Sequence, residues 1–257
     1  MFKVRGYSLI EVMMVLLISL LILQLLFSLY LSATKSHDLQ YTLRRLIQKQ
    51  ERVKSIFQNQ LEKSGQRGCA PIYSANLDPS LSGSANELWI RYVDWQGVTL
   101  LENSTNSQRL LASKEVIFKA DDELVISDCT HIETFHVKNI FLTHDQQIII
   151  PTENLKNNFN KHAEIGQLQI NHFYLKNNNL MLEEVQHENK TILTGIDNLN
   201  FKYYLKENEK VNPVPVATTS NNTSVAALVI EMTMTISSIT KTNHFFIPVK
   251  NRSESHA

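Results

Sequence analysis

Glu11 stands at the head of a long apolar run, and residues 12–34 contain no Lys, Arg, Asp or Glu. A charge at the centre of a bilayer costs about 2.5–3.5 kcal/mol on insertion scales. A carboxylate so placed gains most by meeting a cation, unless it lies close enough to the interface to stay hydrated. Cys69 and Cys129 are the only two cysteines. They could join as a disulfide, remain as buried thiols or, with His131 two residues beyond Cys129, approach a metal. Asp121-Asp122-Glu123 could bind calcium, and Glu183-Glu184 pairs two carboxylates. Both read first as solvated charges of a turn and a strand face.

None of these groups is accompanied by the rest of a catalytic or metal-binding constellation. The chain lacks Gly-x-Ser-x-Gly, His-Glu-x-x-His and a phosphate-binding Gly-rich loop. Its nine histidines are scattered. The acidic triplet has no Asp-x-Asp-x-Asp-Gly loop, and Cys129 has no second ligand at metal spacing. The expectation is therefore a non-enzyme with no cofactor and no metal. Lys and Arg total 25, as do Asp and Glu, so the net charge is zero. Without a basic excess, nucleic acid is not an expected partner.

The elements that must position these residues follow from periodicity. A stretch of about 20 apolar residues can cross a bilayer as a helix. Lys3 and Arg5 mark its cytoplasmic side by the positive-inside rule. The run is too long for a secretory signal peptide, whose apolar region is about 7–15 residues. A plain single-pass anchor explains the length but not Glu11. The helix continues beyond the membrane: Leu39, Leu43, Leu46, Val53, Phe57 and Leu61 form one stripe, interrupted by Gln50. No Gly or Pro occurs from Tyr7 to Lys63, so one helix of about 85 Å is expected. Gly65, Gly68 and Pro71 supply its stop.

Beyond residue 68 the pattern turns to strands. Residues 87–95 alternate, with 98–101 expected to fold back on them across Gln96-Gly97. Residues 115–119 and 123–127 read as a hairpin turning at 120–122. Residues 167–175 and 180–185 form another through Asn177-Asn178-Asn179. Residues 196–205, 225–237 and 245–249 complete the set. A long helix followed by antiparallel strands is α+β. With the bulk of the chain outside the cytoplasm, a Cys69–Cys129 disulfide can persist. It would close a loop of about sixty residues, contributing roughly 4 kcal/mol in the chain-entropy model.

The opening segment resembles the class III leader of type IV prepilins, shared by type IV pilins and type II secretion pseudopilins. The resemblance rests on basic Lys3 and Arg5, then Gly6, an aromatic Tyr7 where Phe is commoner, and Ser-Leu-Ile-Glu-Val with Glu11 at the fifth mature position. It implies that a prepilin peptidase cuts Gly6–Tyr7 and N-methylates Tyr7. It also implies that Glu11 pairs with the amine of a neighbouring subunit during assembly. Leu61-Glu-Lys-Ser-Gly-Gln-Arg-Gly-Cys69 is similar to the segment ending the helix of PilW-type minor pilins. Leu193-Thr-Gly-Ile-Asp-Asn-Leu-Asn-Phe-Lys-Tyr203 is similar to a strand of the same family. Ser64 and Gln66 depart from the family pattern.

The organisation so implied is a prepilin leader at 1–6, a transmembrane half-helix at 7–34, a periplasmic amphipathic half-helix at 35–66 and a β-rich domain at 67–257. The fold would be pilin-like and held in the bacterial inner membrane by a single pass. The partners implied are the prepilin peptidase, other minor and major pilins, the pilus assembly platform and a pilus-tip adhesin. The role is to initiate or cap a type IV pilus. The alternatives are a type II secretion pseudopilin and a tip pilin that binds a ligand or DNA.

Overall fold

The computed structural model describes residues 9–64, 80–104, 108–184, 189–207, 210–214, 225–236 and 239–249. The chain divides into two compact units, Met1–Glu51 and Arg52–Ala257. One helix, α1 (Leu9–Lys63), supplies the first unit and opens the second. Its sequence is rich in Leu, Gln and Lys, all good helix formers, and has no breaker. The stop residues expected at 65, 68 and 71 lie outside the described residues.

Among its described residues the second unit holds the last three turns of α1 and thirteen strands in two sheets, with every pairing antiparallel. The larger sheet contains β1 (Leu81–Gly83), β2 (Glu87–Thr99), β3 (Leu110–Ser113), β4 (Glu123–Ser127), β5 (Ile132–Leu142), β6 (Gln146–Pro151), β7 (Glu164–Lys176), β8 (Asn179–Glu184) and β9 (Lys190–Thr194). Its main order is β1-β2-β7-β4-β5-β6-β3, with β8 and β9 continuing from β7. The smaller sheet runs β11-β10-β12-β13, from β10 (Asn198–Glu207), β11 (Lys210–Val214), β12 (Val225–Ile236) and β13 (Ile239–Pro248). The α+β class expected from the sequence is what the chain adopts.

The helix meets the sheets through Val53, Phe57 and Leu61, which are buried with residues of both sheets. Phe57 packs on Phe173 at 4.8 Å between ring centroids and edge-on to Phe201 at 5.8 Å. Asn171 donates from Nδ2 to Gln60 Oε1 at 2.7 Å. The buried stripe is shorter than its spacing suggested: Leu46 is buried but Leu39 is half exposed. Gln50, read as an interruption, is itself buried. A second core, around Leu124, Phe135, Ile149 and Phe159, fills the far part of the larger sheet.

Two expected hairpins are corrected. Residues 98–101 do not fold back on 87–95, because β2 runs on to Thr99 with a register shift between Asp94 and Val98. The reason is β7, thirteen residues long, which pairs with β2 on both sides of the irregularity. Gly97 takes φ +81° there. Opposite, a Cβ on Gly166 would lie 2.5 Å from Val93 Cγ1 and 2.9 Å from the Asp94 carbonyl oxygen. Glycine alone permits that approach. Residues 115–119 are not a strand either. The Val116 carbonyl accepts from Gln147 Nε2, and Lys119 N donates to Asp122 Oδ2 at 2.8 Å. The turn at 120–122 exists, but β4 pairs with β5 and β7 instead.

The Asn177-Asn178 turn is where the sequence placed it. Both residues have positive φ, 51° and 60°, as a two-residue hairpin turn requires. Residues 199, 201 and 203 share the buried face of β10 as their alternation predicted, and so do 228, 230, 232 and 234 of β12.

Candidate functional site

The features that distinguish this chain chemically lie on α1. Its most apolar 18-residue window has a mean hydropathy of 2.7, and none of that window is buried in the fold. Leu, Ile, Val, Met and Phe side chains are exposed around the whole circumference, from Leu9 at 81% to Leu31 at 42%. Each large apolar side chain left in water forgoes about 1.5–3 kcal/mol. Summed along this helix, the cost amounts to roughly tens of kcal/mol, which cover by lipid or by other protein would remove. This is one helix long and apolar enough to span a membrane.

The polar groups of the segment are disposed accordingly. Ser19 donates to the Leu16 carbonyl at 2.8 Å, Ser28 to that of Leu25 at 2.9 Å and Thr34 to that of Leu31 at 3.0 Å. A hydroxyl in hydrocarbon has no water to bond, so a bond to its own helix is its cheapest partner. Glu11 is the only formally charged residue from Leu9 to Thr34. It sits exposed in the first turn of α1, where the positive end of the helix dipole favours an anion. Gly6 and Tyr7, the expected processing site, lie outside the described residues, as does Cys69.

Cys129 is in the turn between β4 and β5. It is disulfide-bonded, and Cys69 is the only other cysteine in the sequence. Sequence reasoning missed what shapes this turn. Asp128 Oδ1 accepts from Thr130 N at 2.8 Å, from Thr130 Oγ1 at 2.6 Å and from His131 N at 2.6 Å. Burial of the Asp128 carboxyl works to raise its pKa. Bonds from the Thr130 hydroxyl and from the amides of His131, Thr130 and Asn160 outweigh burial and hold it below the ordinary value. The signal was present: Asp two residues before Thr is an Asx-turn pattern. His131 is thus engaged with this turn, its Nδ1 2.8 Å from Thr130 Oγ1. Among the described residues no group of three His, Cys, Asp or Glu is placed to hold a metal ion. Asp122, of the acidic triplet, is buried and caps its own turn.

The string from Leu193 to Tyr203 proves to be a crossing between sheets. Leu193 lies near the end of β9, and with Ile196, Leu199, Phe201 and Tyr203 it is buried in the core shared with α1. Gly195 N and Ile196 N both donate to the Asn178 carbonyl, at 2.8 and 3.0 Å. Phe201 N then donates to the Ala85 carbonyl at 2.7 Å, and the Tyr203 hydroxyl to that of Glu87 at 3.2 Å. Burial pushes the Tyr203 phenol well above its ordinary pKa. The string's regular residues are therefore packing positions that join the two sheets.

Glu231, not singled out in the sequence, lies on the outer face of β12 beside Lys202, Asn200 and His244. The Lys202 ammonium bonded to it holds its carboxyl below the ordinary value. This is a cross-strand ion cluster on an open face. No family model matches the chain, and no curated protein and no solved structure matches it.

Proposed function

We propose that this chain is a minor pilin of a type IV pilus, similar to the PilW type, and that its work is structural rather than catalytic. A prepilin peptidase of the bacterial inner membrane removes residues 1–6 and methylates the amine of Tyr7. The apolar part of α1 then stands in the membrane with the sheet-bearing unit in the periplasm. In assembly the helix packs among those of other minor and major pilins at the assembly platform, beneath a tip adhesin, to initiate or cap the fibre.

The observation that carries this reading is Glu11. It is a single carboxylate at the head of an uncharged, unburied apolar helix, five residues after a Gly-aromatic junction. A plain anchor has no use for a charge at that place. A free amine at Tyr7 of the next subunit would set a cation beside this carboxylate, so that insertion is rewarded only in register. A disulfide at Cys129 agrees with a domain outside the cytoplasm.

The test is Glu11→Ala in the native host. Membrane retention and leader processing should be unchanged, while surface pili fall sharply. Normal piliation would remove the role assigned to Glu11. The second reading, a type II secretion pseudopilin, uses the same leader. Loss of protein secretion with intact pili in a deletion strain would favour it.

A further inference from the structure

The outer face of the larger sheet carries a cluster that none of the above uses. His172 lies at the middle of three adjacent strands, directly opposite Trp89 of β2 and Glu183 of β8. Its ring stacks on Trp89, with centroids 3.7 Å apart and planes 5° from parallel. Tyr174 closes the other side of the row, 4.8 Å from the His172 ring. Nδ1 is 3.2 Å from Glu183 Oε2, and Nε2 faces Glu87 Oε2 at 3.6 Å. The imidazole is 12% exposed, whereas the two carboxylates are about half exposed. His172 Nε2 is buried and makes no hydrogen bond. Arg91, the next outward residue of β2, donates from Nη1 to Ser82 Oγ at 3.0 Å.

We propose that His172 is a proton-operated clamp that ties β2 to β8 across β7. A neutral imidazole carries one N–H and can serve only one of its two carboxylates. The other nitrogen is then held, buried and unbonded, toward an anion. Protonation gives both nitrogens a hydrogen to donate, adds an ion pair on each side and sets a cation against the face of Trp89. The clamp is engaged when the imidazole is protonated and released when it is neutral. The position has consequences for the core. The opposite face of the same strands presents Leu88, Ile90, Phe173 and Leu182, the seat of Phe57. Engagement therefore stiffens the support on which the last turns of α1 rest.

Trp89 reports the event, because an imidazolium stacked on an indole quenches its fluorescence. The full chain in detergent micelles, carrying Trp95→Phe so that Trp89 is the only tryptophan, is titrated between about pH 8 and pH 5, the range where histidine ordinarily ionises. Emission should fall along one sigmoid as pH falls. Adding His172→Gln should abolish that step. Adding Glu87→Gln and Glu183→Gln should move its midpoint to lower pH. A step that survives His172→Gln, or that ignores loss of both carboxylates, overturns the clamp. If Trp95→Phe disturbs folding, the His172 ring proton is followed by NMR in the unsubstituted chain, assigned by difference from His172→Gln, and the same two outcomes decide.

Discussion

At the scale of single residues, the informative positions are those where one side chain serves several backbone groups. Asp128 is the clearest, with three bonds accepted by one oxygen arranging the turn that carries Cys129. Asp128→Ala leaves those donors without their acceptor and should destabilise the sheet-bearing unit by about 1–3 kcal/mol at neutral pH. The folded carboxyl titrates below the unfolded one, so its contribution is full above the ordinary aspartate value and is lost as pH falls through the folded value. The gap between wild type and variant, measured by urea unfolding in micelles, should therefore be widest near pH 7 and narrow below about pH 4. A gap independent of pH would mean that the carboxylate charge does not hold the turn. Asp128 was legible in retrospect, since its bonds are local. Trp89, His172 and Glu183 were not. They are 83 and 11 residues apart along the chain, and only the registers of two strand pairs bring them together.

Among the elements, α1 was the most legible, because an uninterrupted apolar run and a 3.6-residue stripe are properties of consecutive residues. Its seat was not legible. Phe57 touches Phe173 and Phe201, whose own positions depend on the two sheets coming together. Phe57→Ala should cost about 3–5 kcal/mol, the usual penalty for emptying a large buried aromatic site. Thermal unfolding of the full chain by near-ultraviolet circular dichroism would check this, and a change under about 1 kcal/mol would mean the core refills. The hairpin at Asn177-Asn178 was legible for a similar local reason: two asparagines that tolerate positive φ sit between alternating strands. The turn expected at Gln96-Gly97 failed because a Gly that bends a strand and a Gly that reverses it look alike in sequence. A long partner on one side, β7, decided in favour of bending.

For the molecule as a whole, the exposed apolar part of α1 sets the expectation. The chain should stay with the membrane fraction through alkaline carbonate and be released by detergent. Recovery in the carbonate supernatant would show that the helix is covered by protein rather than lipid. The apolar span, the place of Glu11 at its head and the alternation of the later strands were determined by the sequence alone, because each is written in neighbouring residues and needs no partner to be recognised. What only the tertiary structure decided was which strands neighbour one another, how β7 divides one edge between β4 and β8, and where the chain passes from one sheet to the other at Gly195 and Ile196. The physical reason is that antiparallel strands of similar composition can pair in many orders. The choice among them is made by long-range packing around Phe57 and by close approaches such as Gly166 against Asp94, neither of which any short stretch of the chain records.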